Sequence, residues 1–247
     1  MQRALTLYQS TIGKKVAMAL SGLVIIGFTV GHMLGNLNAY MGEAAFNEYA
    51  ETLKAAWYIL WPTRLLLLAA FGTHIVSAFT LVLRNKDARP QAYHVTKHTE
   101  ATLASKAMPI SGAALFLFVG FHLLHFTLAP QLFNAAHFEN PFWNFYAGMS
   151  HPVLAAIYIA GNLALGLHIY HGFFSAFQTI GANHPKYNPL RRDAAVGLAT
   201  ILTVANVMFP ISVHLGYIEA PVGYERAMAD AAHADEADQA DHAGTDH

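Results

Sequence analysis

Two things are scarce in this sequence: cysteine, of which there is none, and charge, with Asp, Glu, Lys and Arg making up 12% of the 247 residues. Without thiols there is no disulfide, no thiolate-held iron–sulfur cluster and no covalent attachment through a C-x-x-C-H motif. Any metal must therefore use histidine or oxygen ligands. The charge content is about half the roughly 25% of an ordinary soluble domain. With 55% hydrophobic residues and a positive mean hydropathy, the chain cannot coat its own surface with charge, and lipid must replace water over much of it. A formal net charge of −1 argues against nucleic acid as a partner. Acids are also missing from the middle of every long apolar run, so this chain alone is not expected to build a carboxylate proton wire across a bilayer. The nearest acids, Glu43, Glu48, Glu51 and Glu139, fall in connecting segments and read as solvated surface.

What is abundant is apolar sequence in long runs. Five stretches, 16–40, 57–83, 107–128, 152–177 and 194–215, are each long enough to cross a hydrocarbon core about 30 Å thick at about 1.5 Å per residue. Helix is the expected state, because an isolated strand leaves its backbone groups unsatisfied in lipid. The first run is too long and too poor in small-residue cleavage signals to read as a signal peptide. The expected fold is an all-α integral membrane protein over residues 1–218, followed at 219–247 by an acidic, histidine-containing tail that reads as disordered.

Basic residues set the orientation. Arg3, Lys14, Lys15, Arg84, Lys86, Arg89, Lys97, Lys106, Lys186, Arg191 and Arg192 fall on one side of the alternating spans, and only Lys54, Arg64 and Arg226 on the other. The excess predicts a cytoplasmic N-terminus and an outside C-terminus.

A short repeat runs through the first four spans. Met18-Ala-Leu-Ser21-Gly22 is followed by His32 ten residues after the glycine, and Met108-Pro-Ile-Ser111-Gly112 by His122 at the same spacing. The second and fourth spans carry His74-Ile75 and His168-Ile169, each with a phenylalanine five residues after the histidine. The two hairpins read as parallel copies about an axis along the membrane normal.

His32, His74, His122 and His168 thus sit inside spanning segments, where an ionisable side chain is costly unless paired or bound. His32 lies 17 residues past Lys15 and His122 lies 16 past Lys106, so each is about 25 Å along its span, in the outer half. His74 lies ten residues before Arg84, about 15 Å from the inner end, and His168 stands at a similar height. Depth therefore pairs His32 with His122 and His74 with His168. Two neutral imidazoles facing one another across a bundle suit the axial positions of a haem iron. Gly31 and Gly35 beside His32, Ala70 and Ala78 beside His74, and Ala164 and Gly172 beside His168 are small enough to let a porphyrin lie against the helix. His125 and His171 follow their neighbours by three residues, as rival ligands or as donors to haem propionates or a quinone. His214 is expected to reach the interface, and His94, His98, His137, His151 and His184 to lie in loops or at interfaces.

With the histidines placed, the sequence resembles the cytochrome b subunit of succinate dehydrogenase or fumarate reductase, in its single-chain b558-like group. The resembling segments are Ser10-Thr-Ile-Gly-Lys-Lys15, Gly31-His-Met-Leu-Gly-Asn-Leu37, Ala45-Phe-Asn-Glu-Tyr-Ala50, Lys97-His-Thr-Glu-Ala-Thr-Leu-Ala-Ser-Lys106, Phe121-His-Leu-Leu-His-Phe126 and Leu167-His-Ile-Tyr-His-Gly-Phe-Phe-Ser-Ala-Phe-Gln178. Together they cover most of residues 10–188, and the tail departs from the family pattern. The resemblance implies a four-helix haem-binding bundle plus a fifth helix in the bacterial plasma membrane. It implies two haem b groups on His32, His122, His74 and His168. It further implies a flavoprotein and an iron–sulfur subunit on the cytoplasmic face, and a quinone (menaquinone or ubiquinone) as the membrane-side reactant. Electrons would pass from flavin through the clusters to the inner and then the outer haem. On this reading the chain is the membrane subunit of an enzyme and carries no catalytic residue for succinate. Candidate quinone or propionate contacts are Asn36 and Asn38 near the outer pair, and Arg84, Ser105 and Lys106 near the inner face. Two alternatives stand beside it: a haem-poor or haem-free quinone-binding anchor of the same complex, and a histidine-lined transporter for a divalent metal, which calls for acidic or polar residues beside the histidines.

Overall fold

The computed structural model describes residues 9–88, 103–133, 139–230 and 233, the side chains of 103–106 excepted. Among the described residues the ordered elements are helical: α1 (Thr11–Asn36), α2 (Glu43–Ala55), α3 (Trp57–Asp87), α4 (Leu103–Leu123), α5 (Pro141–Ser150), α6 (Pro152–Thr179) and α7 (Asn188–His214). A 3₁₀ turn extends α1 to Met41, and a π turn extends α4 to Leu128. Five of these rods are long and apolar enough to cross a membrane, namely Thr11–Met41, Trp57–Asp87, Ala107–Leu128, Pro152–Thr179 and Asn188–His214. Each contains or closely overlaps one of the five apolar runs. The chain is a membrane protein by the length and composition of these helices, and the shortest, at 22 residues, rises about 33 Å.

Local chemistry fixes the ends. Ser10 caps α1 by accepting from the Gly13 N–H at 2.9 Å. Gly42, at φ 90°, turns the chain between the 3₁₀ turn and α2. The helices α6 and α7 stop alike. After α6 the Ala182 N–H reaches the Phe177 carbonyl at 2.9 Å past Gly181 (φ 87°), and after α7 the Tyr217 N–H reaches the Ser212 carbonyl at 2.9 Å past Gly216 (φ 75°).

The outside of the bundle is apolar. Leu65, Leu68, Ile110, Leu117, Leu190 and Ile201 are all exposed, as expected for side chains that lipid rather than water must cover. Inside, α1 packs closely on α3 and α6, α4 on α6, and α6 on α7. Each half of the repeat is thus a hairpin, α1–α3 and α4–α6. The ends of α3, α6 and the start of α7 carry Arg84, Lys86, Lys186 and Arg191, so one end of the bundle is basic.

The other end is capped. The short helices α2 and α5 lie there, and Phe142, Phe145, Met149, Tyr158, Phe209 and Val213 form one buried cluster around them. Asn140 caps α5, accepting from the N–H groups of Phe142 and Trp143 at 3.1 and 3.2 Å. Its amide donates to Glu43 Oε1 at 2.9 Å, and the Asn47 amide donates to Asn140 Oδ1 at 3.0 Å. Glu43 Oε2 accepts from the Val222 N–H at 3.3 Å. Glu43, read as solvated surface from sequence, is a structural clasp here, because buried helix starts need acceptors that lipid cannot offer.

The tail is docked where it begins. Residues 224–230 are helical, and Tyr224 meets Ser150 Oγ at 3.1 Å and packs on Trp143 and Tyr146 with ring centroids 5.3 and 4.9 Å away. An aromatic anchor orders a stretch whose composition carries no apolar periodicity. The remainder expected as disordered, apart from 233, lies outside the described residues.

Candidate functional site

The structure brings the four spanning histidines together in two pairs. The ring centroids of His74 and His168 are 6.2 Å apart, and those of His32 and His122 are 5.7 Å apart. The first pair lies towards the basic end and the second towards the capped end. On α1, His32 stands eleven residues beyond Ser21, and on α4, His122 stands eleven beyond Ser111, about 16 Å along each helix. Equal offsets on two helices of the same direction keep each pair level.

At the basic end the repeat motif itself holds the rings. His74 Nδ1 lies 3.0 Å from the Met18 carbonyl and 3.5 Å from Ser21 Oγ. His168 Nδ1 lies 3.2 Å from Ser111 Oγ. The neighbouring glycines make room: a Cβ on Gly22 would stand 3.1 Å from His74 Cε1, and one on Gly112 would stand 3.5 Å from His168 Cε1. The Ser-Gly step on the first helix of each hairpin is therefore a seat for the histidine on the second. The Met18 carbonyl can only accept, so it calls for the proton on Nδ1 of His74, whereas the Ser111 hydroxyl can either donate to or accept from His168 Nδ1.

At the capped end the support is aromatic. His32 stacks on Phe28, one turn earlier, at 5.4 Å between centroids and 13° between planes. His122 Nδ1 lies 3.4 Å from Tyr158 Oη, and Tyr158 Oη lies 2.9 Å from His125 Nδ1. The π turn, closed by the Ala129 N–H on the Leu124 carbonyl at 3.0 Å, carries His125 into the core, where it is 2% exposed and faces Gly148. His125 is thereby committed to Tyr158 and is not a partner for His32.

Three observations test whether these residues fit a haem. First, the spacing: an iron about 2 Å from each of two axial nitrogens puts the imidazole centroids roughly 6 Å apart, close to both separations found. Second, the helices whose histidines face each other, α1 with α4 and α3 with α6, are not the closely packed neighbours, whereas helices in contact lie only about 8–10 Å apart. Third, a Cβ placed on Gly31 or Gly172 would meet nothing within 4 Å beyond its own stretch of helix among the described residues, so both present open space beside a histidine. The residues fit. Among the described residues no three or more His, Asp or Glu side chains converge as a metal site, and the spanning histidines meet in twos.

The remaining candidates divide. Gly35 offers no open space beside His32: the Tyr49 hydroxyl of α2 stands 2.6 Å from where its Cβ would be, so this glycine admits the cap. Asn38 donates to the Gly35 carbonyl at 2.8 Å and Asn36 opens the 3₁₀ turn, both at the end of α1. Arg84 donates to the Gln9 carbonyl at 2.8 Å, tying the end of α3 to the start of the chain. His171 is half-buried one turn after His168. The side chains of Ser105 and Lys106, and His94, His98 and His137, lie outside the described residues. His214 donates from Nδ1 to the Pro210 carbonyl at 2.8 Å and is exposed at the end of α7, His184 Nδ1 accepts from the Lys186 N–H, and His151 is exposed at the start of α6.

Sequence reasoning missed Tyr158 and the seating role of Ser21 and Ser111. A hydroxyl-bearing residue inside an apolar span was the available signal for Tyr158, and the Ser-Gly repeat for the serines. From sequence, Arg191 counts only among the basic residues of the inner side; its Nη2 donates to Asn183 and Asn188, while Nε and Nη1 are buried without a hydrogen-bond partner among the described residues. Those spare donors suit a carboxylate of a bound group. Compared with known protein families, curated proteins and solved structures, the chain finds no match.

Proposed function

We propose that this chain is the dihaem cytochrome b anchor of a succinate:quinone oxidoreductase, passing electrons between an iron–sulfur subunit and membrane quinone. The observation that carries the reading is the pair of level histidine couples, each with ring centroids about one iron coordination apart. Sequence resemblance supplies the succinate and quinone part of the proposal. His74 and His168 would hold the inner haem b and His32 and His122 the outer one. Haem bound between such pairs supplies one-electron transfer at its iron.

The chain's own residues do the rest. Ser21, the Met18 carbonyl and Ser111 hold the inner imidazoles by Nδ1. The basic end, with Arg84, Lys86, Lys186 and Arg191, is proposed to face the bacterial cytoplasm and to dock the iron–sulfur and flavoprotein subunits. A divalent-metal transporter is less well supported, because tetrahedral sites use about four protein ligands and these histidines meet in twos.

A pyridine haemochrome assay on the purified full chain tests the stoichiometry. Two haems per chain are expected, and one or none overturns the two-site reading. Reduction of the haem by succinate in the assembled complex tests the partners. Crosslinks from the soluble subunits to the α2–α5 cap instead of the basic end would overturn the orientation.

A further inference from the structure

The buried hydroxyl of Tyr158 joins two histidines of different standing. His122 meets His32 with ring centroids 5.7 Å apart, while His125 is buried among Phe121, Phe126 and Phe133. Between them the distances are 3.4 Å from His122 Nδ1 to Tyr158 Oη and 2.9 Å from Tyr158 Oη to His125 Nδ1. On the haem reading His122 offers Nε2 to the iron, so its Nδ1 carries the proton and donates to the phenol oxygen. The phenol has one proton to give, and His125 Nδ1 is the acceptor within reach. The chain of donation therefore has one direction, from His122 through Tyr158 to His125. Its last member has its position from two unusual features of the fold: the π turn of Leu124–Leu128 and a glycine at 148, where a Cβ would collide with the His125 ring.

We infer that Tyr158, polarised by His125, is a positioning residue that sets the electron-donating strength of His122 towards the outer iron. The inference rests on the haem reading of this pair. A phenol oxygen that gives its own proton to an imidazole is a better acceptor than a free phenol. A better acceptor at Nδ1 makes the imidazole a stronger donor at Nε2, which stabilises the oxidised metal and lowers its potential. At the basic end the relay is of another kind: Nδ1 meets the Met18 carbonyl or a serine hydroxyl, and those hydroxyls donate to backbone carbonyls, Ser21 to Ala17 at 2.7 Å and Ser111 to Met108 at 3.3 Å, with no second imidazole behind them. The outer iron is thus tuned independently of the inner one, by a group that touches neither haem ligand's iron-facing nitrogen.

The test is a redox titration of the full chain by visible spectroscopy, with the outer component assigned as the one missing from His32→Ala. Tyr158→Phe keeps the ring and removes the relay. The expected result is two haems retained, the outer midpoint shifted to higher potential and the inner midpoint unmoved. His125→Leu keeps Tyr158 but takes its acceptor, and is expected to move the same component the same way by a smaller amount. It decides the matter if Tyr158→Phe fails to assemble. Tyr146→Phe, outside the relay, should move neither. An outer midpoint unchanged in the assembled variants, or an equal shift of both midpoints, overturns the inference and leaves the haem reading standing. A wild-type chain without haem overturns the reading itself before any variant is compared.

Discussion

The two histidine pairs are built from one repeat and yet are held differently. At the basic end each ring rests on a Ser-Gly step of the neighbouring helix, so a hairpin is enough to position it. At the capped end the supports are not part of the repeat: Tyr158 comes from α6, His125 from the π turn, and Gly148 from α5. The first arrangement is duplicated across the two hairpins, and the second occurs once. A bundle can therefore give two equivalent histidine pairs two different environments without changing the histidines. One pair inherits its surroundings from the repeat, and the other takes them from the segments that interrupt it.

The comparison breaks most completely if the pairing is wrong. His74→Ala and His168→Ala are each expected to abolish the same spectral component, and His32→Ala and His122→Ala the other. Loss of a whole haem is the largest effect expected of any variant here. It leaves the partner imidazole unpaired in an apolar bundle, so lower yields are expected as well. Redox difference spectra of the four variants check this. If His32→Ala and His74→Ala remove the same component, the ring proximities of 5.7 and 6.2 Å do not report ligation.

The same contrast explains what could be read from the sequence. The spans follow from composition alone, because lipid forces both the helical state and the apolar runs, and all five helices fall where hydropathy puts them. The pairing of rings was readable because helix rise is constant, so residue counts from the basic ends convert to depth. The caps and the relay were not. Helix α2 is amphipathic and polar, and its docking depends on Tyr49 filling the space at Gly35, a contact between residues with no common spacing. His125 follows His122 by three residues, and a regular helix would set the two on overlapping faces. The π turn separates them, and no residue in Leu124–Leu128 announces it.

A smaller effect separates the two seats at the basic end. A methyl on Gly22 would stand 3.1 Å from His74 Cε1, closer than a ring held at Nδ1 can yield easily, whereas one on Gly112 would stand 3.5 Å from His168 Cε1, an ordinary contact. Overpacking of this kind costs about 1–3 kcal/mol. Gly22→Ala is therefore expected to lower the thermal stability of the chain and to broaden or shift the inner component, while Gly112→Ala leaves both near wild type. Thermal unfolding followed in the haem band, together with the redox spectrum, reads both. Equal behaviour of the two variants would mean that the hairpins are not seated as unequally as these distances state.

The smallest effect concerns the serines, and it runs the other way. Ser21 and Ser111 occupy equivalent places in the repeat, but their histidines do not depend on them equally. His74 Nδ1 has the Met18 carbonyl at 3.0 Å as well as Ser21 Oγ at 3.5 Å, so its proton already has a well-placed acceptor that no side-chain substitution removes. His168 Nδ1 has Ser111 Oγ at 3.2 Å, and that hydroxyl lies only 3.3 Å from the Met108 carbonyl, an alternative acceptor for its own proton. Hydrogen bonds between helices in a bilayer contribute about 0.6 kcal/mol on average, and a buried donor left without a partner costs about 1–3 kcal/mol. Ser21→Ala is therefore expected to change little. Ser111→Ala should loosen the His168 ring, lower thermal stability by about 1 kcal/mol, and shift the inner midpoint to higher potential, because an imidazole without an Nδ1 acceptor is a weaker donor. The outer component should stay where it is in both variants. A Ser111→Ala chain with an unshifted inner midpoint, or a Ser21→Ala chain shifted as far, would show that the backbone carbonyl and the hydroxyl are interchangeable seats and that the repeat alone decides how the inner pair is held.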